Sequence, residues 1–262
     1  MDVLEQVLIA FAFRVTFGIA AAMWMTPAGW VPAGFFRIHL WVLLGLNTLA
    51  AAITWTAHTA SSGTQSPTWI FTLALLLALL SYIGSVVWLY ERPRLGKALL
   101  ATEVLVAVGA GFLVEVSRPG GWLLGLGQLA EILSSGALLG SLLTAMLLGH
   151  YYLNWPGMKL EPLQRLLVGL LWAVAARGIV SAIGLAFHQQ MLSDVNAVVG
   201  GLLGLRWLAG IIGPAVTGRM AQLTLRIPNT QSATGILYAG TIMALLGELV
   251  AELLAPPGKI PL

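Results

Sequence analysis

Polar positions in this chain fall in short clusters, and long apolar runs separate them. Eight runs stand out, approximately 7–25, 35–57, 69–90, 97–116, 128–149, 163–187, 198–220 and 233–254. Each supplies roughly the 20 residues that a helix needs to cross about 30 Å of hydrocarbon. Backbone groups in lipid must find partners within their own segment, so the runs are expected as helices, not open strands. Breakers divide them: "TPAGWVPAG", "SSGTQSP", "ERPRLG", "SRPGG", "NWPG" and "RIPNTQS". The stretch "GGWLLGLG" is apolar but rich in glycine, which leaves the start of the fifth helix open. The expectation is an all-α, polytopic membrane helix bundle of about eight transmembrane helices. No loop exceeds roughly a dozen residues on this reading, so residues 1–262 read as a single integral membrane domain with no soluble domain.

Composition strengthens that picture. The chain is 58% hydrophobic and only 9% charged, with a mean hydropathy of +0.90. Ordinary soluble domains carry roughly 25% charged residues. Cysteine is absent, which excludes thiolate metal sites, cysteine-held iron–sulfur clusters, disulfides and cysteine nucleophiles. The first run follows Asp2 and Glu5 instead of a positive segment and has no A-x-A-like site after it, so it is expected to remain as a membrane helix.

The distribution of charge gives an expected orientation. Arg37, Arg92, Arg94, Lys97, Lys159, Arg165, Arg219 and Arg226 fall on one side of the eight spans, and Arg118 and Lys259 on the other. The positive-inside tendency then places both termini on the outer, periplasmic side of a bacterial inner membrane. Trp24, Trp30, Trp88, Tyr90 and Trp155 form the expected inner aromatic belt, and Trp55, Trp69 and Trp122 the outer one.

Charges inside spans are costly and mark candidate sites. Arg14, Arg177 and Arg206 and the acids Glu103, Glu115, Glu131 and Glu248 form the candidate intramembrane charge network. All but Glu103 fall at comparable depth in the outer half, which suggests interhelical pairs. Those pairs would close the bundle or face a partner; alternatively they line a polar cavity for a headgroup, a quinone, an ion or protons. Arg177, Ser181, Gly184 and His188 share one helix face and extend such a line.

The histidines are the candidate cofactor ligands. His39 and His150 fall toward the inner side, His58 and His188 toward the outer. Two pairs at two depths suit the axial ligands of a haem b protein. The competing reading is interfacial trim. His39 and His58 stand about 28 Å apart along one helix, near its rims. His150 closes the run "LLTAMLLGH", and Tyr151, Tyr152 and Trp155 follow at headgroup level.

Small residues at helical spacing favour close helix packing: Gly136 with Gly140 and Thr144, Gly200 with Gly204, and Gly210 with Gly213 and Thr217. Pro214 is expected to kink the seventh helix, and Thr230 or Ser232 to cap the eighth. There is no Walker loop, H-E-x-x-H or G-x-S-x-G, and Asp2 and Asp194 are the only aspartates. The chain therefore reads poorly as a stand-alone enzyme. The expected function is an integral membrane subunit of a larger assembly, an electron-transfer or respiratory complex first among them, that anchors partners and offers a quinone, haem b or proton-path site; which cofactor, if any, it carries stays open. Its partners would be membrane lipids and other membrane or peripheral subunits, not nucleic acid. The alternative is a small-solute or ion transporter or channel with a charged outer-half cavity.

Overall fold

The computed structural model describes residues 3–60, 68–116, 122–155, 157–187, 197–227 and 229–254. Most of these residues are helical, and none of them is in a strand. Eight helices among them are long and apolar enough to cross a membrane, and the chain is a multi-pass integral membrane protein. It packs as two compact units, residues 1–117 and 118–262.

The first unit contains α1 (Val3–Met25), α2 (Ala33–Ala60), α3 (Thr68–Leu89) and α4 (Pro93–Val116). Each helix packs on its sequence neighbour, and α4 returns to α1, which closes the bundle into a ring. Ile9, Phe13 and Phe17 of α1, Ala50 of α2, Ile70 and Leu77 of α3, and Ala107 and Val114 of α4 share one core.

The tight α3–α4 turn is built from backbone geometry. Arg92 N–H donates to Val87 O, and Glu91 N–H donates to Trp88 O. This is a Schellman motif with Glu91 at its left-handed position, φ 52°. Pro93 then opens α4, where its missing N–H costs nothing. At the other end of this loop Trp88 is 2% exposed. Its ring stacks on Phe36 at 3.7 Å between centroids, and it lies against Gly96, where an added Cβ would meet the indole at 2.5 Å. Trp88 is therefore a core residue, not a member of the inner aromatic belt. Apolar packing against Phe36 has overridden its position near the helix end. Trp24, Tyr90, Trp55 and Trp155 are exposed as a belt requires.

Lys97 ties α1 to α4. Its ammonium donates to Met23 O at 2.8 Å and Trp24 O at 2.6 Å, and also to Thr26 O. Three donors thus meet carbonyls at the end of α1, where Met23 O also accepts from Thr26 N–H.

The second unit contains α5 (Trp122–Asn154), α6 (Glu161–Phe187), a seventh span, and a final helix. The seventh span is α7 (Ala197–Trp207), a π-helical turn (Leu208–Ile212) and α8 (Gly213–Thr224); the final helix is α9 (Thr230–Leu254). Again the last helix returns to the first: α9 packs on α5, and the seventh span lies against both α6 and α9. Helix α5 starts at Trp122, so "WLLGLG", the described part of the glycine-rich stretch, is helix, not loop.

The irregularity expected at Pro214 lies one turn earlier. Gly213 N–H donates to Leu208 O, a π-type step, and Pro214 then sits in the first turn of α8. Small residues do the packing. Gly210 and Gly247 meet so closely that a Cβ on either would run into the other's backbone. A Cβ on Gly240 would meet Thr217, and one on Gly149 would meet Thr234. Gly204 is different: it is exposed, and an added Cβ there would meet nothing within 4 Å. The close helix contact of this span is thus made at Gly210, not at Gly204. Asn229 caps α9, its Oδ1 accepting from Ser232 N–H at 2.9 Å. Thr230 is already the first helical residue, so neither it nor Ser232 is the cap.

Candidate functional site

The intramembrane charges come together inside each unit. In the second unit Arg177 of α6 stands between Glu131 of α5 and Glu248 of α9. Its Nε donates to Glu248 Oε1 at 2.8 Å and its Nη2 to Glu248 Oε2 at 2.9 Å. On the other side Nη2 donates to Glu131 Oε1 at 2.5 Å, and Nη1 donates to Glu131 Oε2. One planar guanidinium therefore addresses four carboxylate oxygens, which only arginine's fork can do.

Arg206 completes the cluster from the seventh span. Its Nη1 donates to Glu248 Oε1 at 3.1 Å and its Nη2 to Ser181 Oγ at 2.8 Å. Ser135 Oγ donates to Glu248 Oε2 at 2.7 Å. The four ionisable side chains are all buried. Two guanidinium groups balance two carboxylates, so the cluster is formally neutral and spans every membrane helix of the unit. Each Glu248 oxygen accepts two bonds, and both Glu131 oxygens are engaged. Such an arrangement holds helices together and offers no vacant acid or base.

The local sequence explains how these groups meet. Glu131 and Ser135 are four residues apart on α5, as are Arg177 and Ser181 on α6, so each pair shares a face. Gly184 continues the buried face of α6, while His188 lies outside the described residues. The close approach at Gly210 and Gly247 brings Arg206 and Glu248 within reach, each four residues or fewer from the crossing. Ser135 was not among the expected site residues, although its spacing from Glu131 carries the signal.

The first unit has a simpler arrangement. Arg14 of α1 donates to Glu115 of α4 at 3.0 Å, and both are buried. Glu103, also on α4, belongs to no ion pair among the described residues. It is buried against Ser81 of α3, with 2.5 Å between Oε1 and Oγ.

The histidines separate. His39 is buried in the first unit; its Nδ1–H donates to Phe35 O at 2.7 Å, and its ring lies 4.4 Å from that of Phe35. His58 is half-buried near the far end of the same helix. His150 is exposed at the end of α5 in the second unit. No two described histidines of one unit lie together. Among the described residues no group of three or more His, Asp or Glu side chains is placed to hold a metal ion.

Compared with protein-family models, curated proteins and solved structures, the chain has no significant match in any of the three.

Proposed function

We propose that this chain is an integral membrane subunit of a larger assembly. The observation that carries the reading is the neutralisation of charge within each unit: Arg14 with Glu115, and Arg177 and Arg206 with Glu131 and Glu248. Polar groups close the helix bundles from within. The outer faces carry large apolar side chains instead, among them Trp41, Leu105, Trp172 and Ile242. Such faces suit acyl chains and neighbouring subunits, and the short described connections leave little room for chemistry outside the bundles. An electron-transfer or respiratory complex in a bacterial inner membrane is the finer form of this proposal, with haem b or quinone as the group carried.

Extraction of the full chain from its native membrane in mild detergent tests this. Native mass and a reduced-minus-oxidised visible spectrum are read on the same sample. The expected result is a particle containing other chains in fixed ratio to this 27.8 kDa subunit. A sharp b-type signal supports the finer form. A particle made of this chain alone overturns the subunit reading.

One observation favours a second reading, a small-solute or ion transporter. The π-helical turn at Leu208–Ile212 interrupts the seventh span beside Arg206, and such turns recur at functional sites. Solute uptake by the chain alone in proteoliposomes would establish it.

A further inference from the structure

The four intramembrane glutamates do not share one environment. Glu115, Glu131 and Glu248 each accept from an arginine. Glu103 has Ser81 as its hydrogen-bond partner, and among the described residues no guanidinium or ammonium lies within ion-pairing distance of it. Its residue is 1% exposed, and it is the eleventh of the 24 residues of α4, near the middle of the span. A carboxylate stranded there costs far more than a neutral acid.

The hydrogen-bond count gives an independent argument. Ser81 Oγ lies 2.9 Å from Leu77 O and 2.5 Å from Glu103 Oε1. Leu77 O only accepts. A serine hydroxyl has one proton to give. With a proton on Glu103 both contacts become full hydrogen bonds, and the single hydroxyl proton need not be shared between two acceptors. The 2.5 Å separation suits either proton arrangement, so the count decides.

The groups around α4 offer no alternative counter-charge. On α1, Arg14 is engaged with Glu115. The described residues of α3 include no Lys, Arg, Asp or Glu, and Tyr82 beside Ser81 is exposed. On α4 itself, Lys97 directs its ammonium to the carbonyls at the end of α1. On α2, which packs on α1 and α3, His39 donates its Nδ1–H to Phe35 O.

We infer that Glu103 is a proton-binding site in the membrane interior, held at neutral pH as a carboxylic acid whose O–H donates to Ser81 Oγ while Ser81 donates to Leu77 O. The bound species is the proton. It does not depend on whether the chain works in an assembly or alone. Release leaves a carboxylate to which Ser81 can turn its hydroxyl, so the pair has two definite states.

The full-length protein in lipid nanodiscs is treated with dicyclohexylcarbodiimide, an apolar reagent that adds to protonated carboxyls, and adducts are located by peptide mass spectrometry. The expected result at neutral pH is an adduct on Glu103 and none on Glu115, Glu131 or Glu248. Labelling of Glu103 that begins only at acid pH overturns the inference. If the reagent fails to reach Glu103 at any pH, infrared difference spectra decide. A protonated-carboxyl C=O band present at neutral pH and lost in Glu103→Gln supports it, and a spectrum unchanged by that substitution overturns it. The amide of Gln can donate to Ser81 as the acid does, so this variant keeps the local hydrogen bonds.

Discussion

Arg177 and Glu248 meet edge to edge, Nε and Nη2 of the guanidinium each donating to a different carboxylate oxygen, at 2.8 and 2.9 Å. The same guanidinium serves Glu131 on its other side. Removing it takes away the guanidinium that bridges the two buried carboxylates, with Arg206 still on Glu248. Breaking a buried pair from one side costs about 3–5 kcal/mol. Arg177→Met is therefore expected to lower the thermal unfolding temperature in mild detergent sharply. Arg177→Lys restores the charge but not the fork, so it should recover only part of the loss. Full recovery by lysine would show that the geometry is unimportant.

A methyl group on Gly247 has no space at its crossing with Gly210, because the atoms it would meet are Gly210 Cα and N, both backbone. Gly247→Ala is expected to separate the seventh span from α9 and to loosen the Arg206–Glu248 contact. Gly204→Ala is the control, because its Cβ would meet nothing. Cysteine pairs introduced across the crossing should cross-link less readily in Gly247→Ala than in Gly204→Ala. Equal yields would argue against the close approach.

The cap of α9 rests on Asn229 Oδ1 and Ser232 N–H. Asn229→Ala should cost about 1 kcal/mol, whereas Ser232→Ala keeps the backbone donor and should cost little. Hydrogen exchange of the first turn of α9 reads the difference, faster in Asn229→Ala and unchanged in Ser232→Ala.

Much of this was legible from residue pattern alone. Hydropathy locates all eight spans because the requirement for an apolar run of fixed length is strong. Their ends are less legible. "WLLGLG" joins α5 because apolar residues in a membrane favour a helix over a loop despite glycine's lower propensity. The depth of Arg177, Arg206, Glu131 and Glu248 points to pairing, and helical spacing points to Ser135 and Ser181. Which acid meets which base is a tertiary outcome, and Glu103 shows the limit. Its depth sets it apart from the outer-half acids, but only the packing of α3 shows that its partner is a serine where theirs are arginines. Trp88 near a helix end looks interfacial until Phe36 is seen to stack on it.

Glu91 sits at φ 52° with a side chain, a conformation that suits glycine. Its Schellman hydrogen bonds are backbone to backbone and survive substitution. Glu91→Gly is thus expected to stabilise the α3–α4 turn by up to about 1 kcal/mol, seen as a small rise in unfolding temperature. A fall would mean that the Glu91 side chain contributes more than its backbone strain costs.

The claim on which the rest depends is that intramembrane charges are closed within each unit. Arg14 and Glu115 allow its most direct measurement, a double-mutant cycle with Arg14→Met, Glu115→Leu and both together, read as unfolding free energy of the full chain in detergent. The expected result is that each single variant loses about 3–5 kcal/mol and that the double variant recovers most of it, since neither then leaves an unpaired buried charge. Strictly additive losses would contradict the pairing, and with it the picture of a bundle held together by its own charges.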